Sequence, residues 1–184
     1  MQNLETANEK AKEGQISKAI NSISKDLVRV YQQIADEYLT EVKAIQPANQ
    51  HGMDENEQKR AEYFELAERF YSKCLDVSRQ QGFNDKVAEC HQSLGLIHEM
   101  KGNLDQAIEE RKKFLEITKD NNDQAAQVQA YKQLAETYSK DKKIVPAIDN
   151  LRDMLSIAVE TSDNNAKSEA ALKLGLLFYK PGPR

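Results

Sequence analysis

The sequence predicts an all-α protein built from repeated antiparallel helix pairs. The first observation is a period of 40 residues, in which Leu94, Leu134 and Leu174 are each followed by a small residue. The second is the composition, because 30% of the 184 residues are charged and only 7 Gly and 4 Pro can break helices. The third is the regular return of short turn-forming segments between apolar helical stretches. Together they favour solvated helices over a sheet.

The N-terminal part is predicted to be helical before the regular repeats begin. Residues 1–25 are interpreted as a helical lead-in and residues 26–184 as the repeat array. No normal turn interrupts residues 15–45, so we expect one long helix there, or two helices with a tight joint. A loop inserted at residues 46–53, with Pro47 among its turn formers, follows this segment.

The regular part is predicted to alternate two helix types, A and B. An upstream A helix around residues 30–38 repeats the pattern at 130–138, and residues 64–80 are its expected B partner. The B helices share a small-residue column and two apolar columns, in the same 40-residue register. These columns hold Ala67, Ala107 and Ala147; Leu75, Leu115 and Leu155; and Val77, Ile117 and Ile157.

These columns resemble tetratricopeptide repeats. The family's A-helix positions are matched by Leu94-Gly95 with His98, Leu134-Ala135 with Tyr138, and Leu174-Gly175 with Phe178. The 40-residue unit is similar to the longer-helix subgroup found in polarity adaptors and in several cytoskeletal and ciliary proteins. The resemblance implies a right-handed α-solenoid of about three repeats plus an unpaired last A helix. Arg111 departs from the pattern, which has a bulky apolar residue there.

Two binding modes of the family are not expected here. Chaperone-binding members use a Lys and an Asn four residues later to clamp a C-terminal carboxylate, and polarity adaptors use an Asn after the Leu-Gly pair. The positions that match the Lys–Asn pair are Gln92 with Leu96, Lys132 with Glu136, and Leu172 with Leu176. Because none of them holds the required residues, neither mode transfers to this chain.

The resemblance places a partner on the concave wall formed by the A helices. One interpretation is that an amphipathic or extended segment of another protein lies in this groove. The other is that Leu96 and Leu176 simply pack against neighbouring helices. The predicted partner-binding residues are Leu96, Met100, Gln129, Lys132, Gln133, Glu136, Lys140, Leu176 and Tyr179.

Catalytic, metal-binding and cofactor-binding motifs are not expected. His91 and His98 are separated by about 10 Å of helical rise, too far to share one metal ion, and they fall on core columns. Cys74 and Cys90 are predicted to be buried, unreactive thiols. The carboxylates are expected on solvated helix faces. The sequence therefore predicts a chain that is not an enzyme and holds no cofactor.

Composition also limits the partners. The net charge is −4, and the densest basic run, residues 111–113, follows two glutamates, so we expect local ion pairs and no nucleic-acid binding. No stretch approaches the roughly 18 apolar residues that a membrane span needs. The N-terminus is polar and acidic, unlike a signal peptide, and a cytoplasmic location is expected.

The C-terminal segment predicts an incomplete array. Residues 172–179 read as an A helix, and Lys180–Arg184 stops it before any B helix. We therefore expect a missing repeat, a partner protein or a second copy at this end. Two functions fit: a structural subunit of a larger assembly, with a cytoskeletal or ciliary one suggested by the resemblance, or a reversible adaptor that binds a peptide segment. The long helices and the inserted loop slightly favour the structural subunit.

Overall fold

The computed structural model describes residues 2–45 and 55–178, and these form seven helices with no strand among them. The all-α prediction is confirmed for this part of the chain. Two compact units divide it, Met1–Cys90 and His91–Arg184, with the boundary inside the third helix. The helices are α1 Gln2–Ala44, α2 Glu55–Gln81, α3 Asn84–Met100, α4 Leu104–Asp120, α5 Gln124–Lys140, α6 Ile144–Glu160 and α7 Asn164–Phe178.

In the first unit, α1 and α2 form an antiparallel pair. The Tyr71 hydroxyl donates to the Asp36 carboxylate near the middle of the pair. One turn further toward the C-terminus of α2, the Cys74 thiol contacts the Val28 carbonyl at 3.8 Å. On each of the two helices, buried apolar residues recur at helical spacing along the side that faces the other helix, which explains why the two helices pack. The buried residues are Val28, Ala35, Leu39 and Val42 on α1, and Phe64, Ala67, Tyr71, Cys74 and Leu75 on α2.

Helix α1 is one continuous helix, as one of the two sequence interpretations predicted for residues 15–45. It begins at Gln2, so residues predicted as a lead-in belong to the same helix. Helix α2 also begins earlier than expected, because Glu55 and Glu57 in its first turn complement the helix dipole. The inserted loop predicted at 46–53 lies outside the described residues.

In the second unit, helices contact their neighbours along the chain, α4 with α5, α5 with α6, and α6 with α7. Ala107 and Ala147 in the small-residue column have no exposed surface, which lets neighbouring helices approach closely. Residues with left-handed backbone end the helices at a spacing of 20, at Gly102, Asn122, Lys142 and Ser162. The 40-residue period is therefore two 20-residue halves, each a 17-residue helix and a three-residue turn.

Candidate functional site

The candidate site is a cavity of about 290 Å³ in the second unit, among α5, α6 and α7. Its floor is apolar, and charged side chains stand at its rim. Three predicted partner-binding residues, Glu136, Lys140 and Leu176, meet there. The full lining is Ala135, Glu136, Ser139, Lys140, Leu151, Lys173, Leu176 and Leu177.

The preceding repeat explains why this space is empty. Counting 40 residues back from the lining leads to a set of residues that contact one another around Arg111. Arg111 stands where the cavity has Leu151, and Glu99 stands where it has Ser139. The same step relates Gly95 to Ala135 and Gln133 to Lys173. One repeat is thus filled by a buried ion pair at the position where the next repeat leaves a cavity.

Arg111 is the centre of that filled site, and only 4% of its surface is exposed. Its guanidinium pairs with the Glu99 carboxylate on α3 and donates from an Nη atom to the Gln133 carbonyl on α5 at 3.0 Å. Lys140 also pairs with Glu99. An Arg fits at an apolar position because the Glu99 carboxylate and the Gln133 carbonyl pair with its two Nη atoms, whereas its buried Nε has no hydrogen-bond partner among the described residues.

The Glu99 carboxyl shows how strongly the site favours charge. Burial raises its pKa, but the hydrogen bond from Lys140 and the charge of Arg111 outweigh burial, and its pKa lies below the usual value. The side chain is 11% exposed. The prediction that the carboxylates lie on solvated faces is therefore wrong for Glu99. Burial of this acid became possible because Arg111, one helix later, faces it.

Gly95 makes room for the Arg111 side chain. A Cβ atom at this position would lie 3.1 Å from Arg111 Cγ and 3.5 Å from the Ala107 carbonyl oxygen. The Gly95 position is therefore a close-approach glycine that belongs with the buried arginine. Ala135 holds the equivalent position 40 residues later. It faces Leu151, which is shorter than an arginine, so a Cβ atom fits there.

Ser139 does not replace the polar contacts of Glu99. Its hydroxyl donates to the Ala135 carbonyl at 2.8 Å, within its own helix. Leu151 is buried, with 1% of its surface exposed, but is shorter than an arginine. The two substitutions together leave a pocket with an apolar floor, the kind of space that an apolar side chain of a partner fills.

Ion pairs join α5 to α7 along the rim. Lys132 lies 2.8 Å from Glu169, and Lys173 lies 2.8 Å from Glu136 and 3.6 Å from Glu169. The hydrogen bond from Lys132 lowers the pKa of Glu169, and the hydrogen bond to Glu136 raises the pKa of Lys173. Predicted groove residues Lys132 and Glu136 therefore hold neighbouring helices together, whatever else they bind.

The other predicted residues are dispersed. Leu96, Met100 and Gln133 are half-buried, Gln129 is exposed, and none of the four lines this cavity. Gln133 contributes through its backbone carbonyl, which accepts from Arg111. Tyr179 lies outside the described residues.

A second polar cluster lies on α3 and α4. His91 Nδ1 is 2.6 Å from Glu110 Oε2, and Lys113 Nζ is 2.8 Å from Glu110 Oε1. Burial raises the pKa of Glu110, but hydrogen bonds with His91 and Lys113 prevail and lower it to about 2. Hydrogen bonding to Glu110 raises the pKa of Lys113. His91 and His98 are both buried, as predicted, but Glu110 is a second exception to the expectation of solvated carboxylates.

The two cysteines are buried, as predicted, and their sulfurs lie 3.0 Å apart in the first unit. A hydrogen bond from Cys90 lowers the pKa of Cys74, and the same contact together with burial raises the pKa of Cys90. Among the described residues, no three His, Cys, Asp or Glu side chains are grouped to hold a metal ion. Within the same residues, no helix is long and apolar enough to cross a membrane.

Comparison with known proteins includes a distant structural likeness. No protein-family model matches the chain, and no curated protein matches it. A crystal structure of BtubC (BKLC) from P. vanneervenii is similar over 93% of this chain and 85% of that chain. The two share 14% sequence identity and superpose with a TM-score of 0.48. A likeness this distant carries no inference about what the chain does.

Proposed function

We propose that this chain is a non-catalytic protein–protein interaction scaffold whose second unit holds a partner at α7 and the adjoining cavity. The observation that carries the proposal is the position of Leu176, which is 64% exposed and also lines the cavity. Leu172, one turn earlier on the same side of α7, is 65% exposed. Large apolar side chains concentrated beside an apolar pocket are typical of protein-binding surfaces.

The rim suits a partner without strong net charge. Glu136 and Lys173 neutralise each other, and Lys140 is already paired with Glu99. A bound segment therefore gains mainly by placing an apolar side chain over Leu151 and Leu177, with polar contacts at the edge. The chemistry needed is that of an amphipathic segment rather than of a charged tail.

The resemblance to tetratricopeptide repeats supports the same proposal. The small-residue column at Ala107 and Ala147 is what that family uses to stack helix pairs, and the 20-residue half-repeats are similar to those of its longer-helix subgroup. The right-handed sense of the solenoid and the cytoskeletal or ciliary setting rest on this resemblance and stay predictions.

Two forms of the scaffold differ in how much of α7 is covered. In a structural subunit, a large partner surface covers the whole exposed face, including Leu172. In a reversible adaptor, a short segment places one side chain in the cavity beside Leu176. The breadth of the exposed face favours the structural subunit, and the defined cavity is the observation that favours the adaptor.

A matched pair of substitutions tests the proposal. The exposures of Leu172 and Leu176 are nearly equal, but only Leu176 lines the cavity. Leu176→Asp and Leu172→Asp therefore place the same charge on the same helix at different distances from the pocket. Wild type and both variants are used to capture proteins from native extract, with cross-linking from Lys140 and Lys173, and folding is checked by circular dichroism.

Each outcome has a distinct meaning. Loss of a cross-linked partner only in Leu176→Asp supports the adaptor, and loss in both variants supports the structural subunit. Partners captured equally by all three folded proteins, with no cross-links from Lys140 or Lys173, would show that this surface is not the binding site.

A further inference from the structure

Among the described residues of the first unit, no helix packs against the exposed stretch of α1 from Lys12 to Ile20. Every side chain from Lys12 to Ile20 is exposed. The antiparallel helix α2 ends at Gln81, and the next turn lies level with Lys25, whose ammonium is 5.8 Å from the Phe83 ring. Helix α1 therefore extends past the end of α2, and the exposed residues 12–20 of this extension have no tertiary packing among the described residues to support them.

This extension carries a regular apolar stripe. Its members are separated by four, three, four and three residues, the heptad spacing of a coiled-coil seam. Their exposed fractions are large, from 38% to 66%. We call these residues the α1 stripe: Ile16 (60%), Ile20 (50%), Ile23 (66%), Leu27 (38%) and Val30 (44%).

The α1 stripe is separate from the face that α1 uses inside the chain. Val28, Ala35 and Val42 are buried, and they point about 80° to 120° around the helix from the mean direction of the stripe at 100° per residue. A second helix can therefore lie along the stripe without displacing α2. Ile34 continues the heptad spacing beyond Val30 and is half-buried.

We propose that the α1 stripe pairs with the same stripe of a second copy of this chain in an antiparallel coiled coil. With Lys25 at the centre, Ile16 faces Ile34 of the second copy, Ile20 faces its Val30, and Ile23 faces its Leu27. The two-fold axis generates the same three layers again on the other side. All six layers are apolar, as a self-complementary interface requires.

Charge favours the antiparallel direction. Near the start of α1 the exposed lysines Lys10, Lys12 and Lys18 outnumber Glu13, and near its end the exposed carboxylates Asp36, Glu37 and Glu41 outnumber Lys43. In this register Glu13 faces Glu37, and Lys10 and Lys12 flank that layer. Antiparallel pairing brings each basic end against an acidic end of the other copy. Parallel pairing in register puts lysine beside lysine and glutamate beside glutamate, which is unfavourable.

A groove in the first unit continues the α1 stripe at its acidic end. It has a volume of about 450 Å³ and is lined by Ile34, Asp36, Glu37, Tyr38, Thr40, Glu41 and Tyr63. The extension from the second copy reaches this groove, with its lysines beside the carboxylates. The exposed residues 12–20 of each extension then gain neighbouring helices from the second copy.

Matched substitutions test the dimer in the full chain. Ile23→Glu places a charge in a central layer, whereas Ser22→Glu places it on the neighbouring exposed position outside the stripe. Light scattering coupled to gel filtration should show a wild-type dimer, an Ile23→Glu monomer with dimer dissociation raised at least about 100-fold, and a Ser22→Glu dimer. Circular dichroism confirms that the variants keep their helices.

A charge swap tests the direction. Lys12→Glu and Glu37→Lys should each raise the dissociation constant about tenfold at low salt, and the double variant should restore it, because the antiparallel register brings Lys12 within one residue of the position opposite Glu37 and a parallel dimer does not. A wild-type chain that stays monomeric up to roughly 100 μM, or a dimer unaffected by Ile23→Glu, would overturn the proposal. A wild-type monomer whose stripe instead binds another protein would also overturn it. The proposal is independent of the partner surface in the second unit.

Discussion

Two consecutive hairpins of the second unit have the same register but different interiors. In the first, formed by α3 from His91 onward and α4, Arg111 and Glu99 fill the space between helices with a buried ion pair. In the second, formed by α5 and α6, Leu151 and Ser139 occupy the same positions and leave a cavity. Both hairpins keep a fully buried alanine where the helices approach, Ala107 and Ala147.

The difference shows that the repeated positions fix how closely the helices approach more strictly than they fix the chemical type of the side chains between them. The helices require a small residue at the close approach, but the space behind it accepts either an ion pair or an apolar side chain. A second difference is of the same kind. The His91–Glu110 pair of the first hairpin is replaced by Tyr131 and Asn150, at the equivalent positions, in the second. Charge dependence should therefore concentrate in one hairpin and partner binding in the other.

The largest effect is expected from removing the buried arginine. Arg111→Leu gives the first hairpin the leucine that the second hairpin has at Leu151. It leaves the Glu99 carboxylate, whose side chain is 11% exposed, with Lys140 as its remaining positively charged partner. Breaking a buried pair in this way costs about 3 kcal/mol of unfolding free energy. Urea unfolding followed by circular dichroism measures the loss.

The matched control removes both charges. Arg111→Leu with Glu99→Ser copies the second hairpin and should regain at least about 1.5 kcal/mol, because no unpaired carboxylate stays buried. An Arg111→Leu protein as stable as the wild type would mean that the ion pair contributes nothing, and that the two interiors are energetically equivalent.

A smaller effect is expected from acid. The pKa of Glu110 is lowered to about 2 from 4.5, so the folded state favours its carboxylate. Its stabilisation is complete above pH 4.5 and is lost as the pH falls toward 2. The loss is about 2 kcal/mol, less than the full pKa shift implies, because solvent screens a carboxylate that is partly accessible.

Glu110→Gln isolates this contribution from the other carboxylates. Above pH 4.5 the variant should unfold more easily than the wild type, and the difference should vanish near pH 2. The measurement is the urea midpoint of both proteins across this range. A difference that stays constant with pH would show that packing, and not the charge of Glu110, is what the variant removes.

Much of the architecture could be predicted because it depends on local, periodic signals. The lack of a turn over residues 15–45 predicted one long helix or two with a tight joint, and the structure has the first. The paired helices followed from the 40-residue columns. The start of α1 at Gln2 could not be placed, because its first residues are polar and show no periodic burial pattern. The stripe from Ile16 to Val30 was visible in the sequence, but its meaning depended on where α2 ends.

The candidate site was harder to predict because it depends on contacts between helices. The departure of Arg111 from the apolar pattern was readable, but its partner Glu99 lies on another helix. The useful signal was paired change, since Glu99 becomes Ser139 in the same repeat in which Arg111 becomes Leu151. Of the predicted groove residues, Glu136, Lys140 and Leu176 meet at the cavity, whereas Leu96 and Gln129 do not line it.

The smallest expected effect compares two glycines of one column. Gly95→Ala puts a Cβ 3.1 Å from Arg111 Cγ, whereas at Gly175 a Cβ meets no atom within 4 Å. Both changes gain helix propensity of about 1 kcal/mol. Arg111 cannot retreat, because its guanidinium is anchored at Glu99 and Gln133, so overpacking should exceed that gain and leave a net loss of about 1 kcal/mol. Gly175→Ala should instead stabilise by somewhat less than about 1 kcal/mol.

Thermal and urea unfolding of both variants give the two signs side by side. The decisive comparison is Gly95→Ala placed in the Arg111→Leu background. The leucine is shorter than the arginine, so the methyl group of the new alanine has room, as the methyl group of Ala135 has beside Leu151. There the alanine should stabilise or be neutral, because the clash is gone while the propensity gain remains. Stabilisation by Gly95→Ala in the wild-type background would mean that the Arg111 side chain shifts at little energetic cost. The interior of the first hairpin would then not be tightly packed around this arginine.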